Sequence, residues 1–265
     1  MPEPQEPDLS YALRRAIAAD IDHIVWYQPI VACASGRPVA AEALARAYTT
    51  DGRVVSAGAL FSEARCSHER RRKLDRQTVR RVGASVAEWR ATGFDPRISL
   101  NVSTTTIDRD AGLLLGWIAQ EELDPKRLTV EITESSPVED IGAIAQAVER
   151  YRAAGMHVAI DDFGCGSATF ELLHRVGADV MKIDRRFVRP LIADERARRV
   201  IAAMVRLAHE LDMKVVAEGV ESAAHWDWLT QVGCDAVQGH AIARPMSAHA
   251  LAGWRDASEW APAVR

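Results

Sequence analysis

The residues of this chain best suited to chemistry are acidic and amide side chains that close one short apolar run after another: Glu42, Asn101, Glu131, Asp161 with Asp162, Glu218 with Glu221, and Gln238. One cation, Lys182, ends a run of the same kind. Carboxylate and amide oxygens without paired His or Cys make a hard donor set, suited to magnesium or manganese rather than zinc or copper. So many carboxylates in one place would repel one another unless cations neutralised them. In such company Lys182 could orient and polarise a water, or neutralise charge developing on a phosphate.

Whether these residues meet depends on the elements that carry them. His157-Val-Ala-Ile-Asp-Asp-Phe-Gly164 reads as a buried strand ending in two carboxylates and a glycine turn. Strand alternation puts Asp161 in phase with Ala159, and Asp162 with Val158 and Ile160, so the two acids are expected to leave the strand in different directions. Over 97–103, Ile98, Leu100 and Val102 form one face, while Ser99, Asn101 and Ser103 form the other. Over 128–134, Thr129 and Glu131 likewise lie opposite Leu128, Val130 and Ile132. Further strands are expected at 24–31, 39–44, 180–183, 214–218 and 236–238, with a polar loop over 49–55. Pro29 points to an edge or a break in the first strand.

Helical spacing of apolar residues fills the gaps: 9–17, 60–82, 113–118, 138–151, 170–176, 196–211 and a last helix with Trp226 and Leu229. Ser136-Pro-Val-Glu139 has the form of a capping box. Strand and helix alternate at intervals of about thirty residues or fewer, the rhythm of parallel βαβ units. With nearly eight strands in 265 residues, a TIM (β/α)8-type barrel suits the chain better than an open sheet. The C-terminal strand ends of such a barrel share one face, so residues distant in sequence would converge there.

Each candidate has an ordinary structural explanation when taken alone. A carboxylate after a strand can cap a helix or pair with a cation, and Asn101 or Gln238 can satisfy loop backbone. Lys182 with Asp184 and Arg185 can be a surface ion-pair group. The run Arg65, Arg70, Arg71, Arg72, Lys73 reads as a solvated helix face. A net charge of −4 argues against a polymeric nucleic-acid partner. Cys33, Cys66, Cys165 and Cys234 are scattered without a CxxC pair, so a reduced, cytoplasmic setting is expected. No apolar run has the length of a membrane span, and the acidic, Pro-rich start is unlike a signal peptide.

The ordered set Tyr27-Gln-Pro-Ile-Val31, Glu42-Ala-Leu-Ala-Arg46, Asn101-Val-Ser103, Glu131-Ile-Thr-Glu134, Asp161-Asp-Phe-Gly164, Lys182-Ile-Asp184, Ala217-Glu-Gly-Val-Glu221 and Gln238-Gly239 resembles the motifs of the EAL-domain cyclic-di-GMP phosphodiesterases. The resemblance implies a barrel domain over 9–256 with an antiparallel first strand, between tails at 1–8 and 257–265, and no attached sensor or cyclase domain. It implies hydrolysis of cyclic-di-GMP to linear 5′-pGpG with two Mg2+ or Mn2+ ions. Glu42, Asn101, Glu131 and Asp161 would hold one ion, with Asp161 bridging to a second ion held by Asp162 and Glu218. Lys182 would orient the attacking water, Glu221 and Gln238 would complete the water and ligand shell, Glu134 would anchor the loop after Asp161, and Gln28 and Arg46 would contact the dinucleotide.

The chain departs from the family pattern at 56–68, after a shortened loop, and at 165–170. In the family the second of these loops couples metal binding to dimerisation, and a homodimer is expected. Two rival readings use the same surfaces: a noncatalytic cyclic-di-GMP receptor, and an adaptor that meets a protein partner through 56–72.

Overall fold

The computed structural model describes residues 23–48, 54–56, 67–109, 111–133, 140–165 and 169–257. Glu134, Cys66, the Ser136 capping box, the 9–17 helix and the start of the 60–82 helix lie outside the described residues.

Eight strands close a barrel: β1 (Ile24–Ala32), β2 (Pro38–Tyr48), β4 (Arg97–Asn101), β5 (Leu128–Thr133), β6 (His157–Phe163), β7 (Val180–Ile183), β8 (Lys214–Ala217) and β9 (Ala236–Val237). β1 runs antiparallel to both of its neighbours, β2 and β9, whereas the pairs from β2 through β4 to β9 are parallel. The architecture is therefore a modified TIM barrel with a reversed first strand. A further strand, β3 (Val54–Ser56), pairs antiparallel with the far end of β2. Val54 and Val55, expected in a loop, thus prolong the sheet above the barrel.

Pro29 sits at a break rather than an edge. Tyr27 N–H donates away from β2, to Met246 O at 2.7 Å. By alternation the Pro29 nitrogen faces that same side, between the Met246 bridge and the two residue pairs made with β9, where no ladder bond is lost.

Among the described residues the α-helices are α1 (His68–Ala91), α2 (Thr104–Arg109), α3 (Ala111–Gln120), α4 (Ile141–Ala153), α5 (Thr169–Arg175), α6 (Arg185–Val188), α7 (Glu195–Glu210), α8 (Ala223–Val232) and α9 (Ala248–Ala257). Their starts are set locally. Ser67, Asp140, Asp184, Asp194 and Ser222 each accept a hydrogen bond from a backbone N–H of the following turn, relieving donors that helix geometry leaves unpaired. α9 follows the helix expected to be last, and its N-terminal Ala248 carbonyl accepts from Trp89 Nε1 at 3.0 Å. Arg70, Arg71 and Arg72 are half-buried on α1, so the basic run is not the fully solvated face its composition suggested. None of the helices among the described residues is long and apolar enough to cross a membrane.

Alternation divides each strand between two environments. Ile98, Leu100, Val130, Ile132, Val158, Ile160, Met181, Ile183 and Val215 are buried in the main core with the helices. The other face fills the barrel in two layers. The lower layer is apolar or small: Ile30, Val216 and Ala236 cluster with Ala40 and Val180, and Ser99, Thr129 and Ala159 are buried at the corresponding positions. Two residues further toward the opposite mouth, every barrel strand or its end carries a polar residue in phase with that layer: Gln28, Glu42, Asn101, Glu131, Asp161, Lys182, Glu218 and Gln238. Reversal of β1 is why Gln28 precedes Ile30 while the other polar residues follow their small partners.

Candidate metal centre

Hydrogen bonds and ion pairs knit this polar layer together. Lys182 is 1% exposed. Its Nζ lies 2.8 Å from Glu131 Oε2, 2.7 Å from Glu218 Oε1, 3.0 Å from Asp161 Oδ1 and 3.7 Å from Glu42 Oε2. The surface ion-pair explanation of Lys182 therefore fails: the side chain stands in the middle of the barrel, and Asp184 is buried as well. Asn101 Nδ2 donates to Glu42 Oε1 at 2.7 Å, and Gln238 Nε2 donates to Glu42 Oε2 at 2.7 Å and to Gln28 Oε1 at 3.0 Å. Gln28 Nε2 in turn donates to Ala243 O at 3.0 Å.

Asp162 corrects the expectation drawn from alternation. Its φ is +55°, in the left-handed region, and the pairing of β6 with β7 shifts register between Ile160 and Phe163. The bulge breaks the two-residue period and re-aims the side chain. Instead of diverging, Asp161, Asp162 and Glu218 each bring a carboxylate oxygen within 4.8 Å of the others. Asp162 also shares a hydrogen bond with Asp184.

Burial and charge pull the acids apart in their proton affinities. Burial pushes the Glu218 carboxyl up to about 8, against Lys182 and with help from the Asp161 and Glu42 charges. Burial and neighbouring Asp161 push Asp162 up to about 6. Glu131 is driven well above the usual carboxylate range, chiefly by burial. Burial acts on Glu42 too, but Lys182, Gln238 and Asn101 outweigh it and hold Glu42 below its ordinary value. Lys182 is desolvated, yet its carboxylate neighbours keep it firmly protonated.

One ammonium does not satisfy this donor set. Glu131 Oε1 and Gln238 Oε1 are buried without a hydrogen-bond partner, and Asp161 Oδ1 has only its ion pair with Lys182, a costly state for such atoms. Oxygen-only donors, orphaned oxygens and the close Asp161–Asp162–Glu218 group together fit hard divalent cations.

Part of the polar layer opens on a cleft of about 710 Å3. Gln28, Asp162, Glu218 and Gln238 reach its lining, which also includes the basic side chains Arg185, Arg189 and His240. Glu221 lies at the rim, its Oε1 accepting from Arg189 Nε at 3.0 Å. Arg46 is absent from the lining; its Nη1 donates to the neighbouring Ala45 carbonyl at 2.9 Å. Gly219 and Gly239 let the backbone turn tightly here. Gly219 has φ +71°, and a Cβ on Gly239 would collide with the Val220 backbone. Sequence reasoning read Asp184 and Arg185 only as members of a surface ion-pair group, and left Arg189, His240 and these close approaches unassigned. Asp184 had a signal, since it directly precedes a helix, but nothing local announces its contact with Asp162.

A family model described as the EAL domain matches residues 10–245. A cyclic di-GMP phosphodiesterase of Pseudomonas aeruginosa is 30% identical over 245 residues, covering 92% of this chain and 42% of that protein. The structure of the Pseudomonas aeruginosa MucR phosphodiesterase in complex with c-di-GMP superimposes with a TM-score of 0.81 at 29% identity, covering 92% of this chain and all of that one. The manganese and c-di-GMP complex of Klebsiella pneumoniae BlrP1 gives a TM-score of 0.73 at 27% identity, covering 86% of this chain and 57% of that one. Measured against the first curated relatives, the chain spans only 34%, 20% and 40% of their lengths.

Proposed function

The chain belongs to the EAL-domain family, and from that premise we propose that it hydrolyses cyclic-di-GMP to linear 5′-pGpG with two Mg2+ or Mn2+ ions. The observation that carries the reading is the polar layer of the barrel: four carboxylates, Glu42, Glu131, Asp161 and Glu218, gathered around Lys182 with orphaned oxygens among them. A receptor that only binds the nucleotide has no need of so many buried acids, each costly to desolvate.

In this reading Glu42, Asn101, Glu131 and Asp161 hold one ion, and Asp161, Asp162 and Glu218 hold the other. The pair of ions would supply Lewis acidity at the phosphate and a water of lowered pKa. Lys182, held by Glu131 and Glu218, is a fixed positive charge among these acids and would orient the attacking water. Asn101 and Gln238 orient Glu42 from both sides. Gln28, braced by Ala243 O, is the candidate contact for the dinucleotide at the cleft wall, and Glu221 with Arg189 edges its mouth.

Purified protein incubated with cyclic-di-GMP and Mn2+ is expected to accumulate pGpG, followed by chromatography and mass spectrometry, and to stop when a chelator is added. Tight binding without pGpG at saturating Mn2+ would reject hydrolysis in favour of a receptor.

The raised acids also give the metal affinity a sign. Glu218 near 8 and Asp162 near 6 carry protons that a divalent cation must displace, so Mn2+ binding should tighten as pH rises from 6 to 8 and release protons as it does. Metal-free stability should run the other way. A carboxyl whose pKa rises on folding contributes stability that is complete below its unfolded value, about 4.3 for Glu218 and about 3.9 for Asp162, and is lost as pH climbs through its folded value. Calorimetric titration in buffers of different ionisation enthalpy measures the proton release. An affinity flat across this range would contradict the protonated state of Glu218.

A further inference from the structure

Ser103 belongs to the Asn101-Val-Ser103 motif but is not among the side chains assigned to the metal ions. It stands two residues beyond Asn101, at the turn from β4 into α2. There a carboxylate from α1 reaches it. Asp75 Oδ2 accepts from Ser103 N at 3.3 Å, from Ser103 Oγ at 2.6 Å and from Thr106 Oγ1 at 2.6 Å. The two hydroxyls are themselves 3.1 Å apart. Asp75 is 3% exposed and Thr106 fully buried, and Asp75 takes no part in the lining of the cleft.

An ordinary helix start needs no such arrangement. Ser103 could satisfy the first turn of α2 by itself, as Ser67 does for α1 and Ser222 for α8. Burying a carboxylate to grip that turn costs desolvation, so the grip answers a demand for precision. The demand lies next door: Asn101 must deliver Nδ2 to Glu42 at 2.7 Å while its oxygen stays free to face a cation. α1 is a rigid anchor for the purpose, since Val79, Val82, Val86 and Trp89 on the same helix are buried in the core.

We propose that Asp75 is a positioning residue for the metal centre: through Ser103 and Thr106 it fixes the β4–α2 turn and thereby aims Asn101 at Glu42 and the cation beside it. This rests on the assignment of Asn101 to the metal site. Hydrogen-bond partners standing behind metal ligands are typically worth ten- to a hundred-fold in metal affinity.

The test is Mn2+ affinity in the purified, otherwise intact chain, read from free Mn2+ by electron paramagnetic resonance. Asp75→Ala should weaken binding about ten-fold, and Asp75→Asn, which keeps one acceptor, should recover part of the loss. In an Asn101→Ala background Asp75→Ala should add nothing, because the residue it acts through is gone. A merely structural role would lower the melting temperature equally in both backgrounds and leave Mn2+ affinity untouched. Should Asp75→Ala fail to fold, Thr106→Val removes a single donor and should cost about two- to three-fold. Unchanged affinity in the folded variant, or the same loss with and without Asn101, overturns the proposal. Wild-type protein that binds no Mn2+ would overturn the metal site itself, and this inference with it.

Discussion

Asp161→Asn is expected to lower cyclic-di-GMP hydrolysis by at least about a hundred-fold, beyond what loss of a partner behind the ligands costs, while the protein stays folded. Asp161 is the one residue proposed to serve both ions, and Asn keeps its shape while removing its charge. Lys182 would still be held by Glu131 at 2.8 Å and Glu218 at 2.7 Å, so the barrel has no reason to collapse. Glu42→Ala should behave alike in turnover by a different route, since it strands the Asn101 and Gln238 amides that donate to it. Pairing the pGpG assay with thermal melts separates lost chemistry from lost structure. Substantial turnover in both variants would end the assignment.

Lys182→Met is expected to produce the largest loss of stability. Removing one partner of a buried charge cluster costs about 3–5 kcal/mol because the remaining charges are left uncompensated, and here Glu42, Glu131, Asp161 and Glu218 all lose their cation. For a chain of this size the melting temperature of the metal-free protein should fall by about 10 °C at pH 8. Lower pH should narrow the gap, since stranded carboxylates can take up protons. Turnover should vanish even where the variant folds. A metal-free variant as stable as the parent at pH 8 would mean that Lys182 does not hold these acids.

The sequence makes most of this site legible because a strand's period of two is strict. Ser99 then Asn101, Thr129 then Glu131, and Ala159 then Asp161 each announce a barrel-facing pair, and the structure keeps all of them on one side. Where the period breaks, the reading breaks too. The bulge at Asp162 arises from a left-handed residue that no glycine marks, and asparagine and aspartate are the residues able to hide such a turn. β3 is three residues long, too short for periodicity to register. Asp75 sits 28 residues before Ser103, on the buried stripe of α1 with Val79 and Val82, so its spacing marks an inward acid but names no partner. Contacts of this kind come from tertiary structure alone.

The left-handed backbone at Asp162 also governs how a mutational survey of this protein should be designed. A non-glycine side chain at φ +55° costs about 1–2 kcal/mol, which aspartate and asparagine offset by bonding locally. Alanine at this position would therefore mix conformational penalty with the missing carboxylate, and a drop in turnover could not be credited to either. Glycine would relieve the penalty and erase the ligand, whereas asparagine would keep the local bonding and erase only the charge, so comparing asparagine with the parent aspartate reads out the charge by itself.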